Sequence, residues 1–555
     1  MCVIQCYQII SALSYLNRDN ISSDNIGYVI LSYAILAFFI HINKNPVNFA
    51  FAIIVMMPVL SFHSKSMSRK LLYTLSAIYL YIPLAIFLIG WTYWWIGLPL
   101  AVGGGVGCLM LYRSMEGGNE RVRFGSATVE CIIFAVLLLW TLHAGIGEFC
   151  WQNRGDHLTR NASFYTLVDM SWPAIKGSEM FSYYFGFWLP SAVMAKLSGS
   201  MLIGRLTLAM WATAGLWLTV RLIFDMIGTV RLRILLVFVF FSGIDVIPFY
   251  LYGHSIDKYI ANDFFTPQFG GYSPLAWWTD HTAQPYWVYN QVIPAWLGTM
   301  LVVGRTPGRT TPLILSLMLI SCPFSSIGLL PVATYRWINS ARHSGSMRPW
   351  LESLFGWPLI AAALLALPVI ALYLVNTSVG GVTLYPLDSP LRLAKAAGHV
   401  LILMTFEVLV FIPFIWKRVQ NDRLFQVLLA TSVVALFIRM GLNGMDFPSR
   451  VAIPMILYLS VMVARFTCNW KSQNSVTKVA FSCVVLLALP GPMCEVVRTS
   501  YKMCVVPRNE WSYNELKSIF DPSYFKDHFV ASDAKWPCGP ATDSQVTPIS
   551  AKDSN

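Results

Sequence analysis

Three polar stretches carry the residues whose types and spacing could do chemistry. The first reads Gly155-Asp156-His157-Leu158-Thr159-Arg160-Asn161 and runs on to Asp169. A carboxylate within hydrogen-bond reach of an attacking hydroxyl can take its proton, which makes Asp156 a candidate general base. Arg160 and His157 are suited to hold anionic oxygens. The same residues also fit an ordinary solvated loop, because polar side chains collect in loops. The second stretch, Gly253–Pro285, holds His254, Asp257, Lys258, Asp263, Asp280 and His281 among aromatics. It leads into Tyr289-Asn290-Gln291 at the start of an apolar run. Amides at that depth need partners. Aromatic faces with amides make a sugar site, and they equally make helix caps and interfacial anchors. The third stretch is Asn443-Gly444-Met445-Asp446-Phe447-Pro448-Ser449-Arg450. Arg450, at the mouth of a span, could bind a lipid phosphate or pair with Asp446.

The elements that must position these residues are membrane helices. The chain has 555 residues, 56% of them hydrophobic and 12% charged. Soluble domains carry about 25% charged residues. Apolar runs near the length of a bilayer-crossing helix recur from Ile26 to Val496. The expectation is an all-α polytopic membrane protein with roughly 15–17 membrane helices, some short or re-entrant. The segment Met1–Leu16 lacks the basic start of a cleavable signal and reads as an interfacial helix or a weak first span. The net charge of +12 fits Lys and Arg in loops facing the cytoplasm, so no nucleic-acid partner is expected.

Basic loops at Ser64–Lys70, Arg113–Phe124, Arg231/Arg233, Arg305/Arg309, Arg336–Arg348, Lys417–Arg423 and Arg465–Lys478 can share one face. That threading requires Ser200–Gly228 and Thr311–Arg336 each to fold as a pair of short helices. The second is broken at Cys322-Pro323. Glu148–Met180, Gly253–Pro285, Asn376–Gly398 and Asn443–Arg450 then lie on the opposite face. Three regions follow: accessory membrane helices in 1–126, a catalytic core in 127–497, and an extramembrane tail in 498–555. The tail has helix formers at Asn514–Phe520 and a disordered end. An outward-facing tail would permit a Cys504–Cys538 disulfide. The 11 cysteines show no metal-ligand spacing, so neither a metal site nor a cofactor is expected from the residues.

In order, these motifs resemble the GT-C superfamily of membrane glycosyltransferases, over roughly Ala127 to Arg465. The residues that carry the resemblance are Gly155-Asp156 with Arg160-Asn161, Trp172-Pro173 and Tyr183-Tyr184-Phe185-Gly186. They continue with Asn290-Gln291 before Trp296-Leu297, Cys322-Pro323-Phe324 with Gly328 and Pro331, and Asp446-Phe447-Pro448-Ser449-Arg450 with Pro454. His157 stands where that pattern commonly has a tryptophan. The resemblance implies a GT-C-like helical bundle that transfers a sugar from a polyprenyl-phosphate or diphosphate carrier. The acceptor would be a cell-envelope glycan, lipid or protein, on the periplasmic face of a bacterial inner membrane. It implies Asp156 as base and Arg450 as the group holding the leaving phosphate. Asn290 and Gln291 would orient sugar or phosphate, and Asp169 and His281 are further candidates. Some members of the superfamily that transfer oligosaccharides use a divalent metal.

Two other readings compete. A lipid-linked glycan flippase would place charges within its spans and show internal repeats, and no repeat is evident. An O-antigen polymerase or ligase would carry several arginines in large outer loops, where Gly253–Pro285 has Lys258 as its one firm cation.

Overall fold

The computed structural model describes residues 67–550 except 116–119, 154, 258–268, 342–354, 376–380, 442–443, 513–514, 524–525, 534 and 541–542. The expected interfacial segment Met1–Leu16 and the spans before residue 67 lie outside the described residues, as do Lys258, Asp263 and Asn443. The protein is mostly helical and is a polytopic membrane protein. Among the described residues, six helices are long and apolar enough to cross a bilayer, or seven if one pair bent by 80° counts as a span. Ala127–His143 and Arg423–Ala435 are shorter apolar helices. The chain divides into two compact units, Met1–Lys65 with Phe124–Val136, and Ser66–Arg123 with Leu137–Asn555. In the first, the Gly125 N–H donates to the Glu130 carboxylate at 2.7 Å.

Helix Arg69–Trp91 begins where Ser68 accepts a hydrogen bond from the Leu71 N–H, a standard N-cap. It packs on Met201–Ile227 and Ala283–Val303. Residues 69–114, expected in an accessory bundle, therefore belong with the core.

Ser200–Gly228 does not form a helix pair. Met201–Ile227 is one unbroken helix of 27 residues, about 40 Å long at 1.5 Å per residue. It contains no proline. It ends at Gly228, whose φ of +84° suits glycine and whose N–H reaches back to the Phe224 carbonyl. The segment before it is the ten-residue helix Leu189–Ser198. At about 15 Å that helix is half of a bilayer core. Lys196 returns to the Met170 carbonyl at 2.7 Å. At the far end of the long helix, Asp225 pairs with Arg69 at 2.9 Å and with Arg305 at 3.6 Å. One unbroken helix thus replaces the expected pair of short helices.

The break at Cys322-Pro323 is present, between helices Thr311–Met318 and Pro323–Ala341. Proline at a helix start gives up only an N–H that has no helical partner.

The tail differs most from its expectation. Residues 498–505 complete helix Pro490–Val505, and the described residues of Asn514–Phe520 form no helix. The described residues beyond it are docked rather than disordered. Strand Val530–Ala531 pairs antiparallel with Glu179–Phe181, which pairs in turn with Ile175–Lys176. The Trp536 indole donates to the Trp91 carbonyl at 2.6 Å. The Tyr93 N–H donates to the Cys538 carbonyl at 2.8 Å. Cys504 and Cys538 are both free thiols. Docking holds Cys538 beside Trp91–Tyr93, while Cys504 sits exposed at the end of its own helix.

Candidate functional site

The first polar stretch is a helix, not a loop. Asp156–Asp169 is almost entirely buried although its composition is polar. Asp156 is its first residue, where a negative charge meets the positive end of the helix dipole. One turn on, Arg160 Nη2 pairs with Asp156 Oδ2 at 2.9 Å. The Asp156 side chain is 39% exposed and that of Arg160 is 8% exposed, so the pair sits at the rim of the bundle with the guanidinium inward.

Helix Ala283–Val303 supplies the next layer. It leaves helical geometry at Val288, with φ −146° and ψ 35°, immediately before Tyr289-Asn290-Gln291. Beyond the kink, Asn290 Oδ1 accepts from Arg160 Nε at 3.3 Å. The Tyr289 ring lies 5.7 Å from the same guanidinium.

The third motif forms helix Asp446–Val451. Arg450 Nη2 stands 3.5 Å from Asp446 Oδ1, a loose pair. Three contacts fix this short helix. Ser449 accepts from the Trp277 N–H at 2.8 Å, and Ser325 donates to the Arg450 carbonyl at 2.8 Å. Gly328 packs so close that a Cβ there would lie 2.4 Å from the Val451 carbonyl oxygen.

These parts surround one cavity of about 460 Å³. Asp156, Arg160, Gln291, Asp446 and Arg450 line it. Two guanidinium atoms, Arg160 Nη1 and Arg450 Nε, are buried without a hydrogen-bond partner. A buried N–H left unpaired is costly, and two in one cavity suit an anion. Beside them stand aromatic walls, Tyr183, Tyr184 and Trp277, and apolar side chains including Ile327 and Leu374. Burial and nearby Asp446 raise the Tyr184 phenol above its ordinary range, and burial with Tyr184 does the same for Tyr183. Both stay protonated and can donate.

The other sequence candidates lie elsewhere. Asn290 does not line the cavity and acts on it through Arg160. His157 is buried against the Tyr289 ring. Burial, then the charge of Arg160, pushes its imidazole well below the usual histidine range, so it is neutral and cannot pair with an anion. Asn161 exchanges hydrogen bonds with Gln152. Asp169 is engaged by the tail, accepting from the Ile549 and Ser550 N–H groups at 2.9 and 3.0 Å. His281 is fully buried among Phe238, Phe241 and Trp296, with Nδ1 donating to the Phe238 carbonyl at 2.7 Å. Burial lowers its pKa to about 4. Among the described residues no group of three or more His, Cys, Asp or Glu side chains is arranged to hold a metal ion.

The tail adds residues that sequence reasoning missed. His528 and Phe529 line the same cavity, and nothing in the spacing of the tail pointed to them. The Tyr183-Tyr184 pair was visible as an aromatic motif, without a role. Comparison with protein-family models, with curated proteins and with solved structures finds no match to this chain.

Proposed function

We propose that the protein is a membrane glycosyltransferase of GT-C type. It would move a sugar from a polyprenyl-phosphate carrier to a hydroxyl of a cell-envelope acceptor on the periplasmic face of a bacterial inner membrane. One observation carries this reading. A carboxylate, Asp156, shares a cavity with two arginines whose buried Arg160 Nη1 and Arg450 Nε are unpartnered. The carboxylate suits a hydroxyl, and the paired guanidinium groups suit a phosphate.

The chemistry balances on these groups. The acceptor hydroxyl loses its proton to Asp156 as its oxygen bonds to the anomeric carbon. The bond from that carbon to the phosphate oxygen breaks, and polyprenyl phosphate leaves with the electron pair. Arg160 and Arg450 stabilise the charge that develops there. Ile327 is 45% exposed and Leu374 73% exposed, the latter on a candidate membrane span. They offer an apolar exit for the carrier chain.

A lipid-linked glycan transporter is the second reading, favoured by a separate feature. The carboxyl groups of Asp245, Asp280 and Glu407 are buried inside the bundle, where ionisable groups mark transport paths. Burial raises the carboxyl pKa of both Asp245 and Asp280.

The test uses purified wild type, Asp156→Asn and Arg450→Ala, each incubated with polyprenyl-phosphate sugars and an extract of source membranes. Transfer by wild type that is lost in both folded variants is expected. Transfer persisting in Asp156→Asn would remove the base assignment. No transfer, with lipid-linked glycan crossing reconstituted vesicles, would make the protein a transporter.

A further inference from the structure

We propose that the tail segment Lys526–Ala531 is the acceptor-binding wall of the cavity, with His528 hydrogen-bonding a hydroxyl of a glycan acceptor. This rests on the glycosyltransferase reading above. The segment is built into the site by contacts of four kinds. Its strand registers Met180 with Ala531 and Phe181 with Val530. The Ser182 N–H donates to the Phe529 carbonyl at 3.0 Å. Lys526 Nζ pairs with Glu179 Oε1 at 2.6 Å. The Phe529 ring packs on Tyr183 with centroids 4.0 Å apart. Pairing, charge and ring packing together hold the backbone on either side of His528, so its imidazole meets the cavity at a set place.

The chemistry of the walls divides the cavity between two substrates. A phosphate held by Arg160 and Arg450, with its chain leaving past Ile327 and Leu374, occupies the charged and lipid-exposed parts. Of the lining that remains, His528 and Phe529 come from the tail and stand with Ser182, Tyr183 and Trp277. His528 is half-buried, lines the cavity, and makes no hydrogen bond among the described residues. The ring nitrogens of an imidazole hydrogen-bond readily to hydroxyl groups, and a sugar presents several. Phe529 beside it, packed on Tyr183, adds an apolar contact to the same wall. The acceptor is therefore a hydroxyl-rich glycan rather than an apolar lipid or an extended peptide.

The test takes the full-length protein and a polyprenyl-phosphate monosaccharide that wild type consumes. Release of free sugar into water reports donor use alone. Transfer to a titrated membrane extract reports donor and acceptor together. His528→Ala should raise the apparent acceptor KM between about three- and tenfold, the loss of one hydrogen bond. Donor KM and free-sugar release should stay unchanged, and His528→Asn should recover most of the acceptor affinity. Equal losses of release and transfer would make the segment part of the donor site and overturn the proposal. So would an unchanged acceptor KM in a variant that melts like wild type. Wild type that neither releases nor transfers sugar from any donor would defeat the glycosyltransferase reading itself, and this proposal with it. Measuring wild type first separates that failure from the others.

Discussion

Arg160 Nε donates to Asn290 Oδ1 at 3.3 Å, across 130 residues of chain. The contact leaves Nη2 for Asp156 and Nη1 buried without a partner, so the amide decides which edge of the guanidinium is free. Asn290→Ala should therefore raise the donor KM about tenfold, the scale of one hydrogen bond to a charged group. Combined with Arg160→Ala it should add little, because both changes remove one interaction. A double-mutant cycle on donor KM checks this, and full additivity would break the link.

Arg450→Lys should fail almost as badly as Arg450→Ala. An ammonium cannot reproduce a planar fork that meets Asp446 with Nη2 and leaves Nε for an anion. We expect kcat/KM to fall at least tenfold with the fold intact. Wild-type rates in the lysine variant would show that charge alone suffices.

Asp169→Ala should release the end of the tail without touching the donor. The side chain accepts from two backbone N–H groups and from the Ser550 hydroxyl. Losing such bonds costs about 1–3 kcal/mol, felt locally as faster amide exchange and proteolysis near 543–550. Exchange rates and donor KM measured on the same sample decide. A donor KM that rises with the tail still protected would make Asp169 a substrate ligand after all.

Stability should fall on acidification below the ordinary histidine range. His281 has a folded pKa near 4, against about 6.5 when unfolded, and His157 is also depressed. Between those values the unfolded chain binds protons that the folded chain refuses, so unfolding gains with every step down in pH. Each such histidine contributes about 1.4 kcal/mol per pH unit. Thermal melting from pH 7 to pH 4.5 should show this slope, reduced in His281→Gln. An unchanged slope in that variant would count against His281 as its source.

Gly328→Ala should lower both stability and activity. Its new methyl would meet the Val451 carbonyl at 2.4 Å, and overpacking typically costs about 1–3 kcal/mol. The displaced backbone carries Arg450, so transfer should drop more than melting alone explains. Melting temperature and donor KM together check it.

The glycine also marks what sequence could convey. Gly328 and Pro323 stood out in a motif because one removes a side chain and the other an N–H, and both effects are local. Asp156, Arg160, Gln291, Asp446 and Arg450 stood out as polar groups beside apolar runs, and they do line one cavity. His157, Asn161, Asp169 and His281 looked the same by type. Only three-dimensional burial separates a cavity-facing group from one engaged by Tyr289, Gln152, the tail or Phe238. Met201–Ile227 was misjudged because its division was chosen to balance charged loops, whereas the helix itself contains nothing that breaks it. The tail was misjudged because a two-residue strand has no periodicity, and its partner Met180 precedes Ala531 by a distance no local pattern spans.

The wall formed by His528 and Phe529 also sets an order of events during biosynthesis. Asp156 and Arg160 leave the ribosome long before residue 529, at about 5–20 residues per second a delay of tens of seconds. Throughout that interval the strand Glu179–Phe181 has one unpaired edge, and Arg450 joins Arg160 only near its end. A chain made as far as residue 525 thus carries Arg160 and Arg450 without His528 and Phe529. Synthesis of His528 and Phe529, after the candidate span Ser475–Val505 has been made, is the step that completes the lining of the cavity.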